Sequence, residues 1–152
     1  MSAPPREYRT LLVPYDFSSH AEAALATALD LAKRFGAELH LLHVIQSPAY
    51  ATAGYDGVPL DVPQDIQRGV RESLARIASA SGESVRAHVV DGASIAERIA
   101  DCATQLGVDL IVMGTQGRSG LAHALLGSVA ERTLRSAPCP VLTVRDRARE
   151  AA

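Results

Sequence analysis

The residues best suited to chemistry fall in one run, Gly114-Thr-Gln-Gly117-Arg118-Ser119-Gly120-Leu-Ala-His-Ala-Leu-Leu-Gly127-Ser128. It begins where the apolar segment Asp109-Leu-Ile-Val-Met113 ends, and it finishes at the start of a helical pattern. Glycine lets backbone N–H groups approach a phosphate closely and lets the chain adopt positive φ. A helix N-terminus adds unpaired N–H groups and a partial positive charge. Ser128 stands where a hydroxyl could cap the helix or meet a phosphate oxygen. Two readings are open: a phosphate-binding loop, or a plain strand-to-helix connection with a capping serine. The run is not a P-loop, which needs Gly-Lys-Ser or Gly-Lys-Thr, because the only lysine is Lys33. Nor is it the close-spaced dinucleotide fingerprint, which should follow the first strand. There the chain has Pro14-Tyr-Asp16-Phe-Ser18 instead.

Other reactive side chains are scattered. His20, His40, His43, His88 and His123 show no metal-ligand spacing. His40 and His43 are three apart in a strand, so they point to opposite faces. His123 lies inside the glycine run. Cys102 and Cys139 have no partner at metal-ligand spacing and read as small core residues in a reduced compartment. No residue is an evident base for activating water or a hydroxyl, and no lysine serves the loop, which disfavours phosphoryl-transfer chemistry.

The elements that position the run alternate along the chain. Thr10–Asp16 predicts a first strand. The Ser19-His-Ala-Glu22 spacing predicts a capping box, followed by an apolar stripe through Ala21, Ala24, Leu25, Ala28, Ala32 and Phe35 that Gly36 ends. Residues 37–45 are nearly continuously apolar, as suits a strand covered on both faces. Residues 46–63 read as a long loop, unusual enough in a compact domain to point to function or mobility. A helix over 64–81 follows, with Ile66, Val70, Leu74 and Ile77 inward. Then come a strand over 85–90, a helix opened by the capping box Ser94–Glu97 and stopped by Gly107, a strand over 109–113, a helix over 128–135 and a strand over 140–144. This β-α-β-α-β-α-β-α-β order predicts a single α/β domain with a parallel sheet and helices on both faces. Ligands of such sheets bind at the carboxyl ends of strands, where strand order reverses.

The 152 residues suffice for one ordinary core, with 47% hydrophobic and 21% charged residues and a net charge of −2. No apolar run approaches the roughly 20 residues of a membrane-spanning helix. The basic residues are scattered, which disfavours a nucleic-acid partner. Residues 1–10 lack an apolar signal core, so the expected location is the cytoplasm. The domain is expected over 10–145, with an extension at 1–9 and a polar tail at 146–152.

The sequence resembles the universal stress protein family, nucleotide-binding type. Gly114-x2-Gly117-x9-Gly127-Ser128 matches that family's phosphate-binding pattern, Val13-Pro14-Tyr15-Asp16-Phe17-Ser18 is similar to its first-strand signature, and Ala137-Pro138-Cys139-Pro140-Val141-Leu142 to its last-strand entry. The resemblance spans roughly residues 8 to 145. It implies a Rossmann-like fold of the adenine nucleotide alpha hydrolase-like kind, with a five-stranded sheet of order 3-2-1-4-5. It implies ATP, with or without Mg²⁺; ADP, AMP or cyclic AMP would use much of the same pocket. Asp16 would reach a ribose hydroxyl and the backbone of Val44 would read the adenine edge, with Pro14, Met113 and Gly114 lining the pocket. Gly117, Gly127, Ser128 and Val129 would offer donors to the phosphates, and Arg118 a charge. Gln116 departs from the histidine that many relatives carry. The implied role is a nucleotide-responsive regulator of stress physiology with little or no turnover. The alternatives are a slow ATPase or phosphotransferase, and a structural dimer that binds no nucleotide. A homodimer through Val141, Leu142, Thr143 and Val144 is expected, beside a protein partner of unknown identity.

Overall fold

The computed structural model describes residues 7–47, 62–117 and 126–146. In chain order the elements are β1 (Thr10–Pro14), α1 (Ser19–Phe35), β2 (Glu38–Gln46), α2 (Gln64–Ser81), β3 (Val85–Gly92), α3 (Ile95–Gln105), β4 (Leu110–Gly114), α4 (Ser128–Ser136) and β5 (Val141–Val144). The strands form one sheet of order β3-β2-β1-β4-β5, as expected. Every pairing is parallel, with Leu11 opposite both Leu39 and Leu110, and Ile111 opposite Val141. Strand order reverses between β1 and β4. The Asp109 carboxylate joins the amino ends of these two strands by accepting from the backbone N–H groups of Arg9 and Thr10 at 2.8 and 2.9 Å. That task leaves Asp109 outside the strand predicted to start there.

Alternation along the central strands supplies two cores. Leu11, Val13, Leu39 and Leu41 face α1 and α2, while Leu12, Leu42, Val44 and Ile111 face α3 and α4. Burying each leucine contributes roughly 1.5–3 kcal/mol. Helix α1 lies close to the sheet because its inner stripe, Ala21, Ala24, Ala28 and Ala32, is small. Gly36 ends it in the left-handed region at φ 63°. The predicted stripes run too far at their ends: Phe35 is 48% exposed and rests on Tyr8, and Ile66 is 52% exposed at the start of α2. The cap of α1 is also one residue earlier than the predicted box. Ser18 Oγ accepts from Ala21 N, and Ser19 is already helical. At α3 the predicted cap holds, with Ser94 accepting from Glu97 N. Among the described residues no helix is long and apolar enough to cross a membrane.

His40 and His43 do face opposite sides. His40 is buried with its Nδ1 2.8 Å from Nε2 of His88. One ring must donate and the other accept, so the contact requires a neutral partner. Burial, and then the neighbouring ring, hold His40 below its ordinary pKa of 6.5. Burial, and then Arg86, do the same for His88; Glu38 opposes both only in part. Below pH 6.5 the unfolded chain therefore takes up protons that the folded pair refuses. Stability is intact above that pH and falls as pH drops from 6.5 toward the lowered folded values. Urea unfolding at steps between pH 7.5 and 5 should show this loss, and a His40→Gln, His88→Gln double variant should show a flatter profile. Identical slopes for parent and variant would refute the assignment to this pair.

Candidate functional site

Strand β1 leaves the sheet at Pro14, which lies opposite Leu42. Tyr15 N still donates to Leu42 O at 2.7 Å, and then the chain turns, with Phe17 at φ 65°. The turn aims Asp16. Its Oδ1 accepts from Ser18 N at 3.0 Å and from Ser18 Oγ at 2.5 Å, and Ser18 Oγ in turn caps α1. The other oxygen, Oδ2, faces Gly117 so closely that a Cβ there would lie 2.8 Å from it.

The described glycines of the run are set by space and not by backbone sign. Only Gly36, Gly82 and Gly107 have positive φ among the described glycines. The expectation that the loop uses positive φ therefore fails at Gly114, Gly117 and Gly127. A Cβ on Gly114 would meet His20 Cβ at 2.8 Å, because the end of β4 presses on the first turn of α1. Gly127 N donates to Thr115 O at 2.6 Å, which ties the start of α4 to the end of β4 and takes up the N–H that was expected to face a phosphate. A Cβ on Gly127 would come within 3.1 Å of Thr115 O and 3.3 Å of Gln116 Cα.

Gly127 is the N-cap of α4 and Ser128 its first helical residue, with no side-chain cap bond. The capping reading of Ser128 is thereby removed. The first helical bond is donated by Glu131 to Gly127 O at 2.9 Å. The N–H groups of Ser128, Val129 and Ala130 precede it, as the leading donors of a helix do.

Val44 has its side chain in the α3/α4 core. Its backbone is more informative. Leu42 O faces β1, as the bond from Tyr15 N shows. In a parallel ladder the backbone groups of alternate residues face the same neighbour. The N–H and C=O of Val44 therefore face the gap that β1 leaves when it turns away. Met113 is buried in the same core as Val44, and Gly114 pairs with Val144 at the end of β4.

The structure thus brings Asp16, Gly117 and Gly127 together and sets Pro14, Val44, Met113, Gly114, Ser128 and Val129 at the same end of the sheet. Arg118 and His123 lie outside the described residues, as does most of the loop at 46–63. Burial, helped by the Glu22 and Asp16 carboxylates, raises the pKa of the Tyr15 phenol, which keeps it protonated. No group of three or more His, Cys, Asp or Glu side chains among the described residues could hold a metal ion.

This is a doubly wound α/β protein with a glycine loop at the reversal of its sheet. It belongs to the universal stress protein family, whose sequence profile matches residues 7–145. It is 32% identical over 141 residues to the universal stress protein MJ0531 of Methanocaldococcus jannaschii, covering 91% of this chain and 82% of that one. Its fold is similar to the universal stress protein UspA from Lactobacillus plantarum, at TM-score 0.73 and 29% identity over 93% of this chain and 100% of that chain. It is also similar to a universal stress protein in complex with cAMP, at TM-score 0.66 and 24% identity over 92% and 98% of the two chains.

Sequence reasoning did not single out Phe17, His20 or His43 at this site. His20 is buried against Gly114, and its Nδ1 has no hydrogen-bond partner among the described residues. The positive φ of Phe17 had a faint signal, since a turn between Asp16 and Ser18 must bend somewhere. His43 had none, because its contact is with a residue 28 positions away.

Proposed function

We propose that this protein binds an adenine nucleotide, ATP foremost, at the carboxyl ends of β1, β2 and β4, and acts as a nucleotide-responsive regulator with little or no turnover. The observation that carries the reading is the cradle formed by Gly127, Gly117 and Asp16, where added Cβ atoms would meet backbone or carboxylate oxygen. These contacts lie within the protein and draw the start of α4, the end of β4 and Asp16 together at one end of the sheet. The leading N–H groups of α4 are thereby placed at that end, where they complement the charge of a triphosphate. Asp16 Oδ2 supplies an acceptor for a ribose hydroxyl, and the free-facing backbone of Val44 suits an adenine edge. Ser128 adds a hydroxyl donor to the phosphates, and Arg118 a charge.

In this reading Asp16 serves the ribose and not an attacking nucleophile: Ser18 holds its Oδ1, and Oδ2 is the ribose acceptor. The nucleotide would act by ordering the loop and so altering a surface that a protein partner reads. The relative solved with cAMP makes cyclic AMP, with AMP and ADP, a ligand to test beside ATP. A cytoplasmic homodimer completes the reading.

Chromatography of small molecules released by denaturing the purified protein tests it first, and thermal shift with ATP, ADP, AMP and cyclic AMP second. A stoichiometric adenine nucleotide, or stabilisation of about 2.7 kcal/mol at about 100 times Kd, is the expected result. Neither release nor stabilisation would leave the structural-dimer alternative standing. Robust multiple-turnover hydrolysis that vanishes in Asp16→Ala would promote the ATPase reading.

A further inference from the structure

We propose that His43 is a positioning residue for nucleotide binding: it fixes the turn that holds the Asp16 carboxylate over Gly117. The proposal rests on the nucleotide reading above. It starts from the backbone at Phe17, where the chain takes φ 65°, the one positive φ of a non-glycine residue among the described residues. A bulky side chain in that region is uncommon and persists only where its surroundings hold it. Here the surroundings are specific. The Phe17 ring packs edge-on against Tyr15, with centroids 5.3 Å apart, and lies tilted against the His43 imidazole at 5.1 Å.

The same imidazole places its Nδ1 2.7 Å from the backbone oxygen of Tyr15. A carbonyl can only accept, so Nδ1 carries the hydrogen and donates. Tyr15 is therefore held at both of its backbone groups by consecutive residues of β2: its N–H by Leu42 O and its C=O by His43 Nδ1. Asp16 follows directly. Behind it stands the peptide that His43 fixes, and ahead of it Ser18 N and Oγ engage Oδ1. With both sides set, Oδ2 is directed at Gly117. His43 thus reaches the ribose end of the site through Asp16, from the opposite face of β2 to the Val44 side chain.

Binding of ATP and of 2′,3′-dideoxy-ATP to the full chain tests this. Only ATP offers hydroxyls to Asp16. The parent should prefer ATP by about tenfold. His43→Ala should lose about tenfold in ATP affinity with little change for the dideoxy analogue, so that the preference collapses. His43→Gln keeps an N–H that can reach the Tyr15 carbonyl and should recover part of the preference; it also guards against a folding defect in the alanine variant. In an Asp16→Asn background, His43→Ala should add nothing further. Equal losses for both nucleotides, or an unaltered preference, would overturn the positioning role while leaving nucleotide binding intact. Hydrogen exchange at the Ser18 amide of the nucleotide-free protein gives a separate readout. It should quicken in His43→Ala, and unchanged exchange overturns the role whatever the ligand. A parent that binds neither nucleotide defeats the proposed function itself, and the ribose role with it.

Discussion

Gly127→Val is expected to abolish ATP binding and leave a folded domain. The backbone at Gly127 is extended, with φ −72° and ψ 160°, a region that valine occupies readily. Conformational strain therefore does not decide the outcome. Space does. A Cβ alone would stand 3.1 Å from Thr115 O and 3.3 Å from Gln116 Cα, both backbone atoms that cannot rotate away. The two further carbons of valine must push the start of α4 off the end of β4, against the 2.6 Å bond from Gly127 N to Thr115 O. Overpacking of this sort costs about 1–3 kcal/mol, less than the roughly 5–15 kcal/mol that keeps a domain folded. The displaced groups include the leading donors of α4, Ser128 N and Val129 N, which are assigned to phosphate; Gly127 N itself is held by Thr115 O. Thermal shift reads both consequences. The variant should melt somewhat below the parent, and saturating ATP should raise the parent's Tm by about 5–10 °C and the variant's not at all. Gly127→Ala, which needs only a few tenths of an ångström of yielding, should fall between them. Stabilisation of Gly127→Val equal to that of the parent would refute the phosphate assignment.

The alternation of strands and helices was legible because each buried strand is a short apolar run and helices α1 and α3 carry their own stops, whereas the strand order came from the family resemblance alone. Gly36 and Gly107 both take φ 63° where the sequence places helix ends. The glycine loop was legible for a similar reason: space-demanding contacts leave glycine as the only residue that fits, and spacing records them. What spacing could not record is which of two adjacent serines caps α1. The Ser19–Glu22 pattern looked the better box, but the Asp16 carboxylate binds Ser18 and recruits it into the cap. Ser128 failed as a cap by the same one-residue margin, because Gly127 occupies the N-cap position. Contacts between distant segments were not legible at all. His40 meets His88 across 48 residues, and His43 meets Tyr15 across 28. Both contacts follow from the register of β2 with its neighbours, which no local pattern contains.

The second large effect concerns assembly. The chain should be a homodimer at micromolar concentration, and lysine at Leu142 together with Thr143→Lys should make it a monomer. Strand β5 is at the edge of the sheet, with β4 its one neighbour among the described residues. An edge presents a row of N–H and C=O groups to any matching chain. Val141, Leu142, Thr143 and Val144 include no charge or proline to discourage pairing. Leu142 is 39% exposed, and Leu134 of the neighbouring helix α4 is 45% exposed. Two copies of β5 running antiparallel satisfy a two-fold axis and cover such side chains at once. The choice of probe follows from packing. Val141 rests on the α3/α4 core and Val144 on the α1/α2 core, so charging either would damage the fold itself. Leu142 lies outside both clusters, and lysine on an edge strand is a common natural guard against pairing. The double variant should therefore keep the parent's stability per chain while light scattering reports half its mass. A parent that scatters as a monomer would defeat the dimer, and a dimer that survives both lysines would move the interface to another surface.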